Sequence, residues 1–76
     1  MQTPQVAWAL RKADHFALCV LWPVGDRVEL RINMTDEVVV SQGCLAAGQA
    51  EDLSHAWLAA LLARGWREAA ASEAEA

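Results

Sequence analysis

Arg27–Met34 reads RVELRINM. Val28, Leu30, Ile32 and Met34 alternate with Arg27, Glu29, Arg31 and Asn33. A period of two puts the apolar side chains on one side and the polar ones on the other, which is the pattern of a strand with one buried and one wet face. Thr35–Asp36 follows as a turn. Glu37–Gln42 (EVVVSQ) is β-branched and returns as the next strand. Upstream, Pro23–Asp26 (PVGD) carries turn chemistry: proline presets φ, glycine accepts a positive φ, and aspartate bonds its own backbone.

His15–Trp22 (HFALCVLW), ahead of that turn, is apolar on both sides. Phe16, Leu18, Val20 and Trp22 form one row, and Ala17, Cys19 and Leu21 the other. Gln5–Arg11 (QVAWALR) suits a strand through Val6, Trp8 and Leu10, with Lys12–Ala13–Asp14 as the hairpin turn. The alanines of the same segment would also allow a short helix. The connections are all short, so the strands are expected to form an antiparallel meander.

The second half reads differently. Gly43–Gly48 is expected to be a loop, and Gln49–Arg64 a helix. Gly48 would serve as its N-cap, and Glu51 and Asp52 would lie in its first turn, where the helix dipole favours negative charge. Leu53, Trp57, Ala60 and Leu61 fall on one face. Gly65 follows as the residue that closes the helix in a left-handed conformation, with Trp66 folding back on Leu61. The fold class is therefore α+β: a three- or four-stranded antiparallel meander with one C-terminal helix across one face (β-β-β-β-α), a two-layer sandwich. Residues 1–66 would form one domain. Residues 67–76 (REAAASEAEA) have no large apolar anchor and read as a flexible tail.

The totals narrow the function classes. With 76 residues the chain is too short for a dinucleotide-binding sheet or an eight-stranded α/β barrel. At 55% hydrophobic it is too apolar to be disordered, and a domain of this size buries only about 60% of its unfolded surface. Of the 42 residues behind that percentage, 16 are alanine, which is at home on a helix surface. The net charge of −4 comes without a basic stretch, which argues against direct nucleic-acid binding. The uncharged, largely apolar stretch Phe16–Gly25 contains Pro23 and is too short for a membrane span. It also lacks the flanks of a secretion signal, so a cytoplasmic location is expected.

Chemistry-bearing residues are few. His15, Cys19, Cys44 and His55 are zinc-ligand types, but their spacing is wrong: on one strand His15 and Cys19 stand about 13 Å apart. No metal and no cofactor is expected. Cys44, with Asp52 and His55 on the helix, supplies the types of a nucleophilic set, yet so small a sandwich has little depth for a pocket. A Cys19–Cys44 disulfide would have to span two strand spacings, about 10 Å, which is too far.

What remains is apolar surface beyond the needs of one helix–sheet interface. The Ala17, Cys19, Leu21 row would share its side with Arg27, Glu29 and Arg31, and Leu58 and Leu62 lie round the helix from Trp57. Trp22 joins them, since tryptophan is enriched at interface hot spots. Ala17, Cys19, Leu21, Leu58, Leu62 and Trp22 are thus the candidate contact residues. The expected function is a non-enzymatic protein–protein interaction module, homodimeric through the second sheet face or the helix stripe, with no nucleic-acid, membrane or small-molecule partner. The alternatives are a small acidic inhibitor or adaptor docking on another protein and, behind it, an enzyme using Cys44.

Overall fold

Tight turns set the register of the sheet. In the computed structural model, which describes residues 3–35 and 37–70, β1 (Gln5–Lys12) and β2 (His15–Val24) are joined by Ala13–Asp14 alone. Gly25–Asp26 joins β2 to β3 (Arg27–Met34), with Gly25 at φ +63°, the sign a two-residue hairpin turn needs at its first position. β4 (Glu37–Leu45) follows Thr35, whose N–H donates to the Phe16 carbonyl at 3.0 Å. All four strands pair antiparallel with their sequence neighbours. Pro23, which has no N–H to donate, sits in β2 past Leu21, the last β2 residue in register with β1, so on that side no ladder needs its N–H.

A helix, α1 (Ala47–Ala63), then crosses one face of the sheet and delivers β5 (Arg67–Glu68) to the far edge, giving the order β4-β3-β2-β1-β5. Arg67 and Glu68 pair with Arg11 and Leu10, and the Ala69 N–H donates to the Ala9 carbonyl at 2.9 Å. The fold is α+β with five strands and one helix, one strand more than the sequence led us to expect. β5 and the Ala69 hydrogen bond thus carry the sheet past residue 66, into the segment expected to be a tail. Residues 71–76, the rest of that segment, lie outside the described residues.

The helix boundaries also differ from expectation. β4 continues through Gly43 to Leu45, and α1 starts at Ala47, so Gly48 lies inside the first turn rather than capping it. Ala46 is the N-cap residue, and Gln49 Oε1 accepts its N–H at 3.0 Å. Glu51 and Asp52 consequently fall in the second turn. The C-terminus closes as expected: Gly65 at φ +96°, the Trp66 N–H to the Leu61 carbonyl and the Gly65 N–H to the Leu62 carbonyl form a Schellman cap. Lys12 Nζ donates to the Arg64 carbonyl at 2.9 Å, a cation at the negative end of the helix dipole.

The core lies between α1 and the sheet. Leu10, Ala17, Cys19, Leu30 and Ile32 supply the sheet side and are fully buried. Ala50, Ser54 and Leu61 supply the helix side, and the small size of the first two lets the helix approach closely. Leu53, Trp57, Leu58 and Trp66 pack around them. One buried polar link crosses the interface, from Trp8 Nε1 to the Ser54 carbonyl at 2.9 Å.

Candidate functional site

The register decides which side of the sheet is open. Ala17, Cys19 and Leu21 stand directly across from Met34, Ile32 and Leu30, and directly opposed residues share a face. That corrects the expectation that they would line the second face: Ala17 and Cys19 are 0% exposed beneath the helix, and Leu21 packs against the same core. Ala17 and Cys19 are therefore unavailable to a partner, and Leu21 is partly covered. The other row, Phe16, Leu18, Val20 and Trp22, takes the uncovered face instead, which leaves Trp22 where a contact residue was expected. Leu18 is opposite Asn33, Val20 opposite Arg31, Trp22 opposite Glu29 and Val24 opposite Arg27.

The helix candidates divide. Leu58 packs against the core, whereas Leu62 is 42% exposed. Beside them a shallow apolar concavity of about 360 Å³ is lined by Leu53, Trp57, Leu61 and Arg64.

β1 adds to the uncovered face. Ala9 stands opposite Leu18 and Arg11 opposite Phe16; a bulge between Val6 and Trp8 then turns Val6 to the same side, opposite Val20. The result is an apolar strip of Val6, Ala9, Phe16, Leu18, Val20 and Trp22. Val6 and Trp22 are 38% and 37% exposed, and Val24 beyond them 61%. Val20 and Ala9 within the strip are themselves buried, at 8% and 6% exposed.

Arginines rim the strip. The Arg31 guanidinium lies 5.2 Å from the centroid of the Trp22 ring, and the Arg11 guanidinium 5.7 Å from that of Phe16, both cation–π distances. Arg31 is also ion-paired with Glu29, two residues along the strand. Arg67, directly opposite Arg11, completes a corner. The face thus holds Arg11, Arg27, Arg31 and Arg67, four of the chain's six basic residues. Among the described residues Glu29 is the one acid the strand register places there. Over these described strand positions four positive charges stand against one negative, a sum of +3 in a chain of net charge −4. Linear reading missed this, because the arginines are spread over three strands and no stretch of sequence is basic.

The chain matches no protein-family model, no curated protein and no solved structure.

The reactive residue types do not converge. His15 Nδ1 lies 3.3 Å from Thr35 Oγ1, at the turn end of the sheet. Cys19 is a free thiol, and burial pushes it up to about 11. Among the described residues no three His, Cys, Asp or Glu groups gather to hold a metal ion. The side chain of Cys44 lies outside those described, so its expected set with Asp52 and His55 gains no geometry. Among the described residues no helix is long and apolar enough to cross a membrane.

Proposed function

We propose that the chain is a protein-interaction module whose uncovered sheet face receives an acidic protein surface. The observation that carries this is the segregation of charge: an apolar strip rimmed by four arginines, on a protein that is otherwise acidic. A non-polar centre within a polar rim, with tryptophan and arginine prominent, is the anatomy of a protein interface. Size supports it. The four long strands have eight to ten residues each. At about 3.3 Å per residue and about 4.8 Å between strands they give about 500 Å² in plan, the same order as the ~800 Å² per partner of a standard interface.

Self-association through this face, the reading composition alone favours, would set arginines against arginines. Like charges brought together in a desolvated interface cost affinity, so the charge pattern favours a partner of opposite sign. The docking protein need not be an enzyme, and the shallow concavities support no substrate pocket.

The test is binding of a short peptide alternating glutamate and leucine, compared with one alternating lysine and leucine, together with sedimentation of the chain alone. The expected result is a monomer that binds the acidic peptide, with an affinity that falls as salt rises. Equal binding of both peptides, or a dimer whose intermolecular contacts map to Leu18 and Val20, contradicts the proposal.

A further inference from the structure

Arg11 and Arg67 are direct cross-strand partners at the edge of the sheet. Directly opposed residues of an antiparallel pair place their Cβ atoms about 5 Å apart on one face, and like charges so placed destabilise the pairing. Among the described residues no acid is paired with either arginine; the one ion pair there is Arg31–Glu29. Glu68, next to Arg67, is opposite Leu10 and so belongs to the other face. The two arginines are also unequal. Arg11 is held, its Nε donating to the Ala13 carbonyl at 3.2 Å and its guanidinium lying over Phe16. Arg67 is exposed and has no side-chain partner among the described residues. Together with Lys12, Ala13, Gly65, Glu68 and Ala69 they line an open concavity of about 410 Å³ at the edge of the sheet, in which the basic side chains outnumber the one acid.

We propose that Arg11 and Arg67 form a carboxylate clamp that fixes the docked protein's register on the sheet. This deepens the docking reading above and rests on it. A carboxylate accepts two parallel N–H bonds from a guanidinium fork, and a second fork from the opposing arginine satisfies its remaining lone pairs. Arg11 is the preset half and Arg67 the half that closes. The carboxylate removes the repulsion between them, so the free chain holds at this corner an unfavourable interaction that binding relieves. Phe16, opposite Arg11 on β2, and Leu18, two residues along that strand on the same face, take the apolar residue beside the acid. The clamp therefore selects an acidic residue followed at strand spacing by an apolar one, and not acidity in general.

The experiment measures affinity for the glutamate–leucine peptide and for its glutamine–leucine counterpart, using the intact chain and the variants Arg11→Gln, Arg67→Gln, Arg11→Gln/Arg67→Gln and Arg27→Gln. Nitrogen-15 spectra follow the Arg11 and Arg67 Nε–H signals. The clamp predicts that the double variant loses about tenfold in affinity for the acidic peptide, that Arg27→Gln loses far less, and that both Nε–H signals move together on saturation. The glutamine peptide should bind the intact chain as weakly as the acidic peptide binds the double variant. Unchanged affinity in the double variant, with the peptide still shifting Leu18 and Val20, overturns the clamp and leaves the docking face standing. No shift at Leu18 and Val20 in the intact chain removes the docking face itself. A several-fold gain in peptide affinity on Glu73→Gln/Glu75→Gln shows the pair serving the chain's own acids, and overturns the clamp.

Discussion

The guanidinium of Arg31 lies 5.2 Å from the ring centroid of Trp22, on the side of the sheet the helix leaves open. Trp22 keeps 37% of its surface exposed, so its packing within the free chain is incomplete. Trp22→Ala should cost folding about 1–3 kcal/mol, the cation–π contact plus the part of the ring that is covered. Loss of the same ring should weaken binding of the acidic peptide about tenfold or more, as truncation of an interface hot spot does. Chemical denaturation and a binding isotherm check the two halves separately. Large destabilisation with unchanged binding would make Trp22 a structural residue only.

Trp8 makes the opposite case. Its indole N–H donates to the Ser54 carbonyl inside the core, and its ring is buried against the helix. Trp8→Phe keeps much of the ring and leaves the Ser54 carbonyl without its side-chain donor, so about 1–3 kcal/mol of stability should be lost. Trp8→Ala should lose about 3–5 kcal/mol, enough to unfold a domain this small. Urea denaturation monitored by circular dichroism distinguishes the two.

Asn33 occupies an outer-face position opposite Leu18, and its Oδ1 is buried with no hydrogen-bond partner among the described residues. An unsatisfied buried acceptor costs about 1–3 kcal/mol. Asn33→Val removes the acceptor and adds a residue suited to strands. It should raise stability by about 1 kcal/mol, seen as a melting temperature higher by about 4–8 °C. An unchanged or lower melting temperature would mean that the amide is satisfied in solution.

Cys19 ties stability to alkaline pH. Burial pushes its thiol from 9.0 up to about 11, so the folded state favours the neutral form more than the unfolded chain does. The stabilisation is complete below pH 9 and is lost as pH rises from 9 towards 11. Relative to Cys19→Val, the intact chain should lose about 2 kcal/mol between neutral pH and about pH 10.5. A difference between the two proteins that does not change with pH would contradict the burial argument. The same burial predicts that iodoacetamide labels Cys19 only as fast as the chain opens.

How far the sequence carries is clearest in β2. The alternation of Arg27–Met34, the hairpin turns and the Gly65 cap were all legible, because each depends on local chemistry. The choice of face in His15–Trp22 was not legible from residue size: both rows are apolar, and size alone favours sending the smaller Ala17, Cys19 and Leu21 row to the second face. Parity would have corrected it. A hairpin loop with an even number of residues pairs even-numbered positions with odd ones, so Leu30 and Ile32 belong with Leu21 and Cys19 and never with Val20. The small Ala17 and Cys19 fit beneath a helix that itself comes close through Ala50 and Ser54. β5 was hidden for another reason: Arg67–Glu68 has no apolar pattern, and it is strand only because the capped helix delivers it to the free edge of β1. The basic rim is a tertiary property. Arg11, Arg31 and Arg67 become neighbours of one apolar strip only through the register.

The central claim is that the face of Phe16, Leu18, Val20 and Trp22 docks an acidic protein surface, and mapping amide shifts while the glutamate–leucine peptide is added tests it most directly. The account predicts saturable shifts at those four residues and at Arg11 and Arg31, with little change along Ala47–Ala63. Shifts centred on the helix around Leu53, Trp57 and Leu62, with the sheet signals unmoved, would contradict it.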